Sequence, residues 1–350
     1  VPKRWVFWLD KLGQEHKDLV GNKCANLGEM CKLGLRVPPG FALSIKAYKD
    51  FMEMTGNLQE IQGLLNKSAN KDLNLDQINE ASFQIRQLVE SKAMPEEMEA
   101  MIISCYRELC QRCHVTKVAV STRSAGPVSQ PGQYETYLNV VGESDVIGAV
   151  KKVWSSTFNP RSLASRSKKG MPLSGGPIGV AVLQMVNARA AGIIFTADPN
   201  TGDTDRMIVE ANWGLGESVV AGKIIPDVYI LDKKSLEIRE RKLGQKSEYV
   251  VFREAGVADE ETPLDKRSNF CIVDREIREI GRMGKLLEEH FGVPQDVEWA
   301  IDQGLSFPDS VILLQTRSAV IAQRKKPVDK IIDLAVSRFS RGGFGGMKKM

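Results

Sequence analysis

Residues 294–304 read PQDVEWAIDQG, and residues 311–320 read VILLQTRSAV. Both are β-type runs, and each carries polar residues two apart: Asp296 and Glu298 on the first, Gln315 and Arg317 on the second. Side chains alternate faces along a strand, so Asp296 and Glu298 share a face, as do Gln315 and Arg317. On neighbouring strands the four would aim two carboxylates, an amide oxygen and a guanidinium at one spot. That set suits magnesium and a polyphosphate. Hard oxygens hold the metal, which keeps waters and phosphate oxygens in its shell, while arginine grips phosphate in a planar fork. Two half-buried strands with ordinary surface charges would read the same, so the rest of the chain has to decide.

At 350 residues, 42% apolar and 26% charged, the chain has the totals of a soluble globular protein large enough for two lobes or one substantial domain. Its net charge of +4 is unevenly placed. Residues 323–350 hold eight Lys or Arg and two Asp, a net of +6, which leaves −2 for the rest. Nucleic-acid binding is therefore not expected. No apolar run approaches the roughly 20 residues that span a bilayer, so no membrane role is expected. The opening VPKRWVFWLDKLGQEHKD lacks the apolar centre of a secretory signal, and the expectation is a cytoplasmic protein. Six cysteines in so long a chain do not make a disulfide scaffold. Cys110-Gln111-Arg112-Cys113-His114 has the spacing of covalent haem attachment, but it ends a run of helical apolar periodicity that would bury Cys105 and its neighbours. We read the spacing as chance.

Residues 21–34 suggest a glycine-bearing turn entering a helix, and RVPPGFALS a proline-fixed turn entering a strand. Residues 46–113 read as mostly helical, with start signals at Asp76 and at Pro95. From residue 117 strands dominate, apart from helices at 145–156 and 274–290. A helical first part and a mixed second part predict an α+β protein of two lobes with a cleft.

Several segments could meet a nucleotide. Gly21-Asn22-Lys23 precedes a helix and could bring an ammonium and free backbone N–H groups to a phosphate, although it is not a P-loop and taken alone reads more readily as a solvated loop lysine. Arg123 leaves a strand into the small-residue loop from Ser129 through Gly132 to Thr136, which could wrap a triphosphate or simply be an exposed connection. Gln184, with Met185 and Val186, ends a β-type run where amide groups could pair with a base edge. Glu210 ends another such run and could reach a ribose or a base.

Taken in order, GNKCANLGEMCKLGLRVPPGFALS, VSTRSAGPVSQPGQYETYLNV, VLQMVNARAAGIIFTADPNTGD, IVEANWGLGESVVAGKIIPDVYIL, PQDVEWAID and LLQTRS resemble the ATP-binding domain of the phosphoenolpyruvate synthase and pyruvate phosphate dikinase family. The resemblance runs over about residues 5–322. It implies a two-lobed, ATP-grasp-like domain, with residues 1–182 as the N-terminal lobe, 183–322 as the C-terminal lobe, and 323–350 as an amphipathic basic tail. It implies ATP and Mg²⁺ as cofactors. By motif position, Lys23, Arg123 and Arg317 would contact phosphates and carry catalysis. Glu298 and Gln315 would hold magnesium with Asp296 beside them, Gln184 would lie near adenine, and Glu210 at a nucleotide contact. The loop with Gly132 and Thr136 would close over the triphosphate. One departure weakens that last point: where many relatives read A-T-A-E-D, this chain has Gly126-Pro127-Val128-Ser129-Gln130.

The family passes the β-phosphoryl group of ATP to a histidine in a Gly-Gly-x-x-Ser-His type motif, leaving AMP and phosphate. His16, His114 and His290 are the histidines of this chain, and none has that context. The expected partner is therefore a larger subunit carrying the phosphorylatable histidine and the acceptor-binding domain. The tail, with Val328, Ile331, Ile332, Ala335 and Phe339 at helical spacing, favours a naturally split dikinase over a truncation and suggests a docking segment. Among split dikinases the resemblance is to the smaller subunit of phenylphosphate synthase, which implies phenol as acceptor. The alternatives are the ATP-binding portion of a pyruvate, water dikinase or other dikinase, and a nucleotide-sensing regulatory subunit.

Overall fold

The computed structural model describes residues 5–67, 74–126, 134–254 and 256–321, and within these the strands sort into a five-stranded sheet, a six-stranded sheet and a hairpin. The first sheet takes β1 (Val6–Trp8), β2 (Gly40–Leu43), β3 (Ala119–Ala125), β4 (Thr136–Val141) and β5 (Gly179–Gln184), in the order β1-β2-β5-β3-β4. The second begins with β6 (Ala188–Phe195), β7 (Arg206–Trp213), β8 (Asp227–Asp232) and β9 (Ile238–Lys242). After the hairpin of β10 (Glu248–Phe252) and β11 (Val257–Glu261), β12 (Gln295–Asp302) and β13 (Val311–Ser318) return to it, giving β13-β12-β6-β7-β8-β9. The helices are α1 (Lys17–Val20), α2 (Asn22–Lys32), α3 (Ile45–Met54), α4 (Asn57–Lys67), α5 (Leu75–Ser91), α6 (Glu96–Arg112), α7 (Glu143–Ser155), α8 (Pro160–Lys168), α9 (Glu217–Val220), α10 (Leu264–Arg267) and α11 (Asp274–Phe291). This is the mixed α+β architecture expected. Gly132 and the tail from residue 323 lie outside the described residues.

Local chemistry explains most element ends. The start of α5 is set by Asn74 rather than Asp76: its side chain accepts from Gln77 N–H at 2.9 Å, while Gln77 accepts from Asn74 N–H at 3.1 Å. That reciprocal pair satisfies two otherwise orphaned donors. Behind Pro95, α6 opens with Glu96, Glu97 and Glu99, which complement the positive end of its dipole. Along α11, Ile277, Ile280, Met283 and Leu287 are buried on one face, and the helix ends on Gly292 at φ +70.

Two main cores result. One gathers Phe41, Phe51, Ile85, Trp154 and Val182 between the first sheet and the helices from α3 to α8. The other mixes residues of both sheets: Leu9, Leu12, Cys24, Leu27 and Met30 from the N-terminal segment pack with Ala181 and Leu183 of β5, and with Ile194, Val209, Trp299 and Leu313 of the second sheet. A division at residues 182 and 183 falls inside β5, which runs to Gln184. The sheets themselves part between Gln184 and Ala188.

The haem-like spacing is a helix end. Cys110 is buried and its Sγ accepts Val118 N–H at 3.4 Å, while Cys113 closes α6 and His114 takes a left-handed φ of 55. Contrary to the sequence reading, Cys105 is only half-buried.

Candidate nucleotide site

The polar residues of the opening motif are brought to one face by register. On β12 and β13, Asp296 stands opposite Arg317 and Glu298 opposite Gln315. The core face of β12 carries Val297, Trp299 and Ile301, and that of β13 carries Val311 and Leu313. Strict alternation from Leu313 would then send Gln315 and Arg317 into the core. It does not, because the register shifts there: Gln315 pairs with Glu298 but Leu313 pairs with Trp299, leaving Leu314 as a bulge. Leu314 and Gln315 therefore both face the cleft. The doublet Leu313-Leu314 is the trace of this bulge in the sequence.

Lys23 reaches the same place from another direction. It lies in the first turn of α2, whose start is docked on the end of β3 by Asn22 N–H donating to Gly126 O at 3.1 Å. Gly21 makes the approach possible: it has φ +84, and a Cβ there would lie 2.3 Å from Ala125 O. One turn on, Asn26 Nδ2 donates to Thr316 O at 2.8 Å. Thus α2 bridges the strand of Arg123 to the strand of Gln315 and Arg317.

These residues line a cleft of about 500 Å³. Its polar wall is Lys23, Arg123, Glu217, Glu298, Gln315 and Arg317, and Thr136 stands beside it, opposite Arg123 in the β3–β4 register. Its apolar wall is Val186, Ala188, Ala191, Ala300 and Leu314, with Gln184 and Met185 at the edge where β5 ends. Asp296 and Glu210 sit outside the lining. Glu210 lies on the face of Glu298, one strand beyond Ile193, and its carboxylate feels that of Asp296.

Two ion pairs organise the charge. Arg123 Nη2 lies 2.7 Å from Glu298 Oε2. Arg317 holds Asp296 Oδ2 through Nε at 2.7 Å and Nη2 at 2.5 Å. Burial opposes charge on Glu298, but Arg123, and after it Lys23 and Arg317, keep its pKa below the ordinary value. Asp296 goes the other way, raised by burial, with Arg317 opposing and Glu298 adding to the rise. Burial raises Glu210 as well, with Asp296 contributing. Lys23 is lowered to about 8, first by burial and then by Arg123, with Arg317 adding to the fall and Glu298 opposing it.

Sequence reasoning gave Glu217 no role. It opens the four-residue α9 and lines the cleft beside Arg123. Solvent reaches it through the cleft, yet burial among the cleft walls raises its pKa, as does Glu298, while Arg123 pulls it down. The signal available was its place at the end of the strand-and-turn run from Ile208 to Glu217. The three histidines lie elsewhere: His290 Nε2 is 2.9 Å from Glu29, His16 is 3.3 Å from Glu15, and His114 follows the end of α6.

Comparison with known families matches residues 17–335 to the pyruvate phosphate dikinase, AMP/ATP-binding domain. The chain belongs to this family. Relatives of this chain include a protein of Staphylothermus marinus named probable phosphoenolpyruvate synthase, 37% identical over 94% of this chain and 43% of its own length. A probable phosphoenolpyruvate synthase of Methanocaldococcus jannaschii is 36% identical over 93% of this chain and 28% of its own. The phosphoenolpyruvate synthase of Aeropyrum pernix is 33% identical over 93% and 43%. The chain thus spans less than half the length of these relatives. Their names accord with the pyruvate alternative rather than with phenol phosphorylation. Among the described residues no helix is long and apolar enough to cross a membrane.

Proposed function

We propose that this chain is the ATP-binding portion of a pyruvate, water dikinase, with the nucleotide held ATP-grasp fashion in the cleft between the two sheets. The reading rests above all on the bulge-set register that places Glu298, Gln315 and Arg317 on one cleft wall facing Arg123 and Lys23. The apolar wall with Gln184 at its edge suits an adenine, and Lys23, Arg123 and Arg317 suit the phosphates. Gly132 belongs to the loop that would cover the triphosphate, and Thr136, expected in that loop, instead opens the strand that follows it.

The residues present fit magnesium. Glu298 and Gln315 offer oxygens, and Asp296 beside them keeps Oδ1 buried and without a hydrogen bond in the described structure. Among the described residues no three His, Cys, Asp or Glu side chains form a closed cage, so nucleotide oxygens and water would complete the shell. Bound there, the metal would neutralise developing charge on the phosphates. The chain's own part is positioning and charge: three cations around the phosphates and an apolar seat for the base. Among the described residues no histidine lines the cleft. The β-phosphoryl acceptor is accordingly assigned to another part of the protein or a partner subunit, in a reaction that yields AMP and phosphate.

The test is product analysis with MgATP in the presence of the histidine-bearing part. AMP formation that depends on pyruvate supports the reading. AMP with phenol instead would move the acceptor to phenol, and tight binding without AMP would make the chain a nucleotide sensor.

A further inference from the structure

The two carboxylates placed for a metal on β12, Glu298 and Asp296, are each already held by an arginine placed for a phosphate. Arg123 is paired with Glu298 at 2.7 Å, and Arg317 with Asp296 at 2.7 and 2.5 Å. The two carboxylates are buried, with Asp296 at 6% and Glu298 at 9% exposure. The pairs also sit side by side, since Asp296 and Glu298 are two apart on β12 while Arg317 comes from β13 and Arg123 from β3. One polar atom on each pair is shut away without a hydrogen bond in the described structure: Arg123 Nε and Asp296 Oδ1. Arg123 thus keeps a donor free for an anion, and Asp296 an acceptor free for a cation.

We propose that these two ion pairs form a charge-exchange lock that admits magnesium and nucleotide only together; the inference rests on the nucleotide reading above. A dication arriving alone must share Glu298 and Asp296 with the arginines that already hold them, in a site that also carries Lys23, so cations crowd one spot with no anion to offset them. A free nucleotide must share the arginines with Glu298 and Asp296, which sets its phosphates against buried carboxylates. Removing one member of a buried pair is strongly unfavourable because the other charge is left uncompensated. When both arrive, each carboxylate passes to the metal as its arginine passes to a phosphate, and no buried charge is stranded. Metal and nucleotide affinities are then coupled reciprocally through the protein, beyond their association in solution.

The lock makes a prediction of opposite signs. Binding of a non-hydrolysable ATP analogue is measured by calorimetry in EDTA and in excess magnesium, for the wild type, Glu298→Gln and Asp296→Asn. Each substitution removes a lock charge and frees one arginine. Affinity in EDTA is expected to rise roughly ten-fold, the scale of one hydrogen bond to a charged group, while affinity in magnesium falls. Folded variants that lose affinity under both conditions overturn the lock but leave the nucleotide reading intact. A wild type that binds the analogue under neither condition overturns that reading itself. Manganese titration of the unmodified protein, followed by electron paramagnetic resonance, needs no variant. The lock predicts no tight site until nucleotide is added, and tight manganese binding alone overturns it.

Discussion

Gln315 is the register partner of Glu298 only because Leu314, the residue before it, is bulged out of the β12–β13 ladder. The cleft wall thus depends on one inserted residue rather than on the alternation of the strand. Deleting Leu314 would restore strict alternation and turn Gln315 and Arg317 towards the core. The deletion variant is expected to lose nucleotide binding altogether and to melt well below the wild type, as calorimetry and thermal unfolding would report. Retained binding would mean that the bulge does not aim these side chains.

The bond from Asn26 to Thr316 O ties α2 to the strand of Gln315 and Arg317 at 2.8 Å. Asn26→Ala should cost about 0.5–1.5 kcal/mol of stability, the net worth of an ordinary hydrogen bond. Because Lys23 sits one turn away, nucleotide affinity should fall as well, while Gln184-side contacts to the base stay intact. Titrations with adenosine and with ATP separate the two effects, since adenosine affinity should be unchanged.

Burial first, then Arg123, depress Lys23 to about 8 from its ordinary 10.5. Its ammonium is thus lost as pH rises through about 8 in the nucleotide-free protein. Nucleotide affinity should then fall above that pH, by up to about tenfold per pH unit, and binding should take up a proton. For folding the sign is reversed. The unfolded chain holds this proton more tightly, so the cost of burying the charge is present in full below pH 8 and is relieved as pH rises towards 10.5. Lys23→Met should flatten the alkaline limb of the affinity profile. An unchanged limb would assign it to another group.

Lys246 and Asp227 form an ion pair at 2.6 Å with both side chains fully buried. Asp227 also accepts from Gly244 N–H at 2.9 Å and Cys271 N–H at 3.0 Å, so it anchors the segment between β9 and α11 on β8. Lys246→Ala would strand the carboxylate and should cost about 3–5 kcal/mol. Replacing both members with apolar residues of similar volume should cost less than that single change. Denaturant unfolding of the two variants makes the comparison.

Much of this site is legible in the sequence because strand periodicity is local. Asp296 and Glu298, two apart on a β-type run, had to share a face, and so did Gln315 and Arg317. That the two pairs face each other depends on register, which a single bulge decides, and only the Leu313-Leu314 doublet hints at it. The pairing of Arg123 with Glu298 spans 175 positions and had no local signal at all. Glu217 was passed over for a similar reason, since its importance comes from Arg123 standing nearby. Helix ends were read to within a few residues, and the shift from Asp76 to Asn74 reflects which side chain can reach the N3 amide. How the N-terminal segment is shared between the two sheets had no signal in the sequence, because packing partners far apart in sequence leave no periodic trace.

That sharing has a practical consequence. Leu9, Leu12, Leu27 and Met30 lie in the same core as Ile194, Trp299 and Leu313. A fragment beginning after Gln184 would carry every strand of the second sheet and still expose the underside it normally covers with residues from the chain's first tenth. Cutting this protein at its apparent waist should give two insoluble halves. Co-expressing them should restore a soluble complex, with the N-terminal piece serving as the missing half of its neighbour's interior.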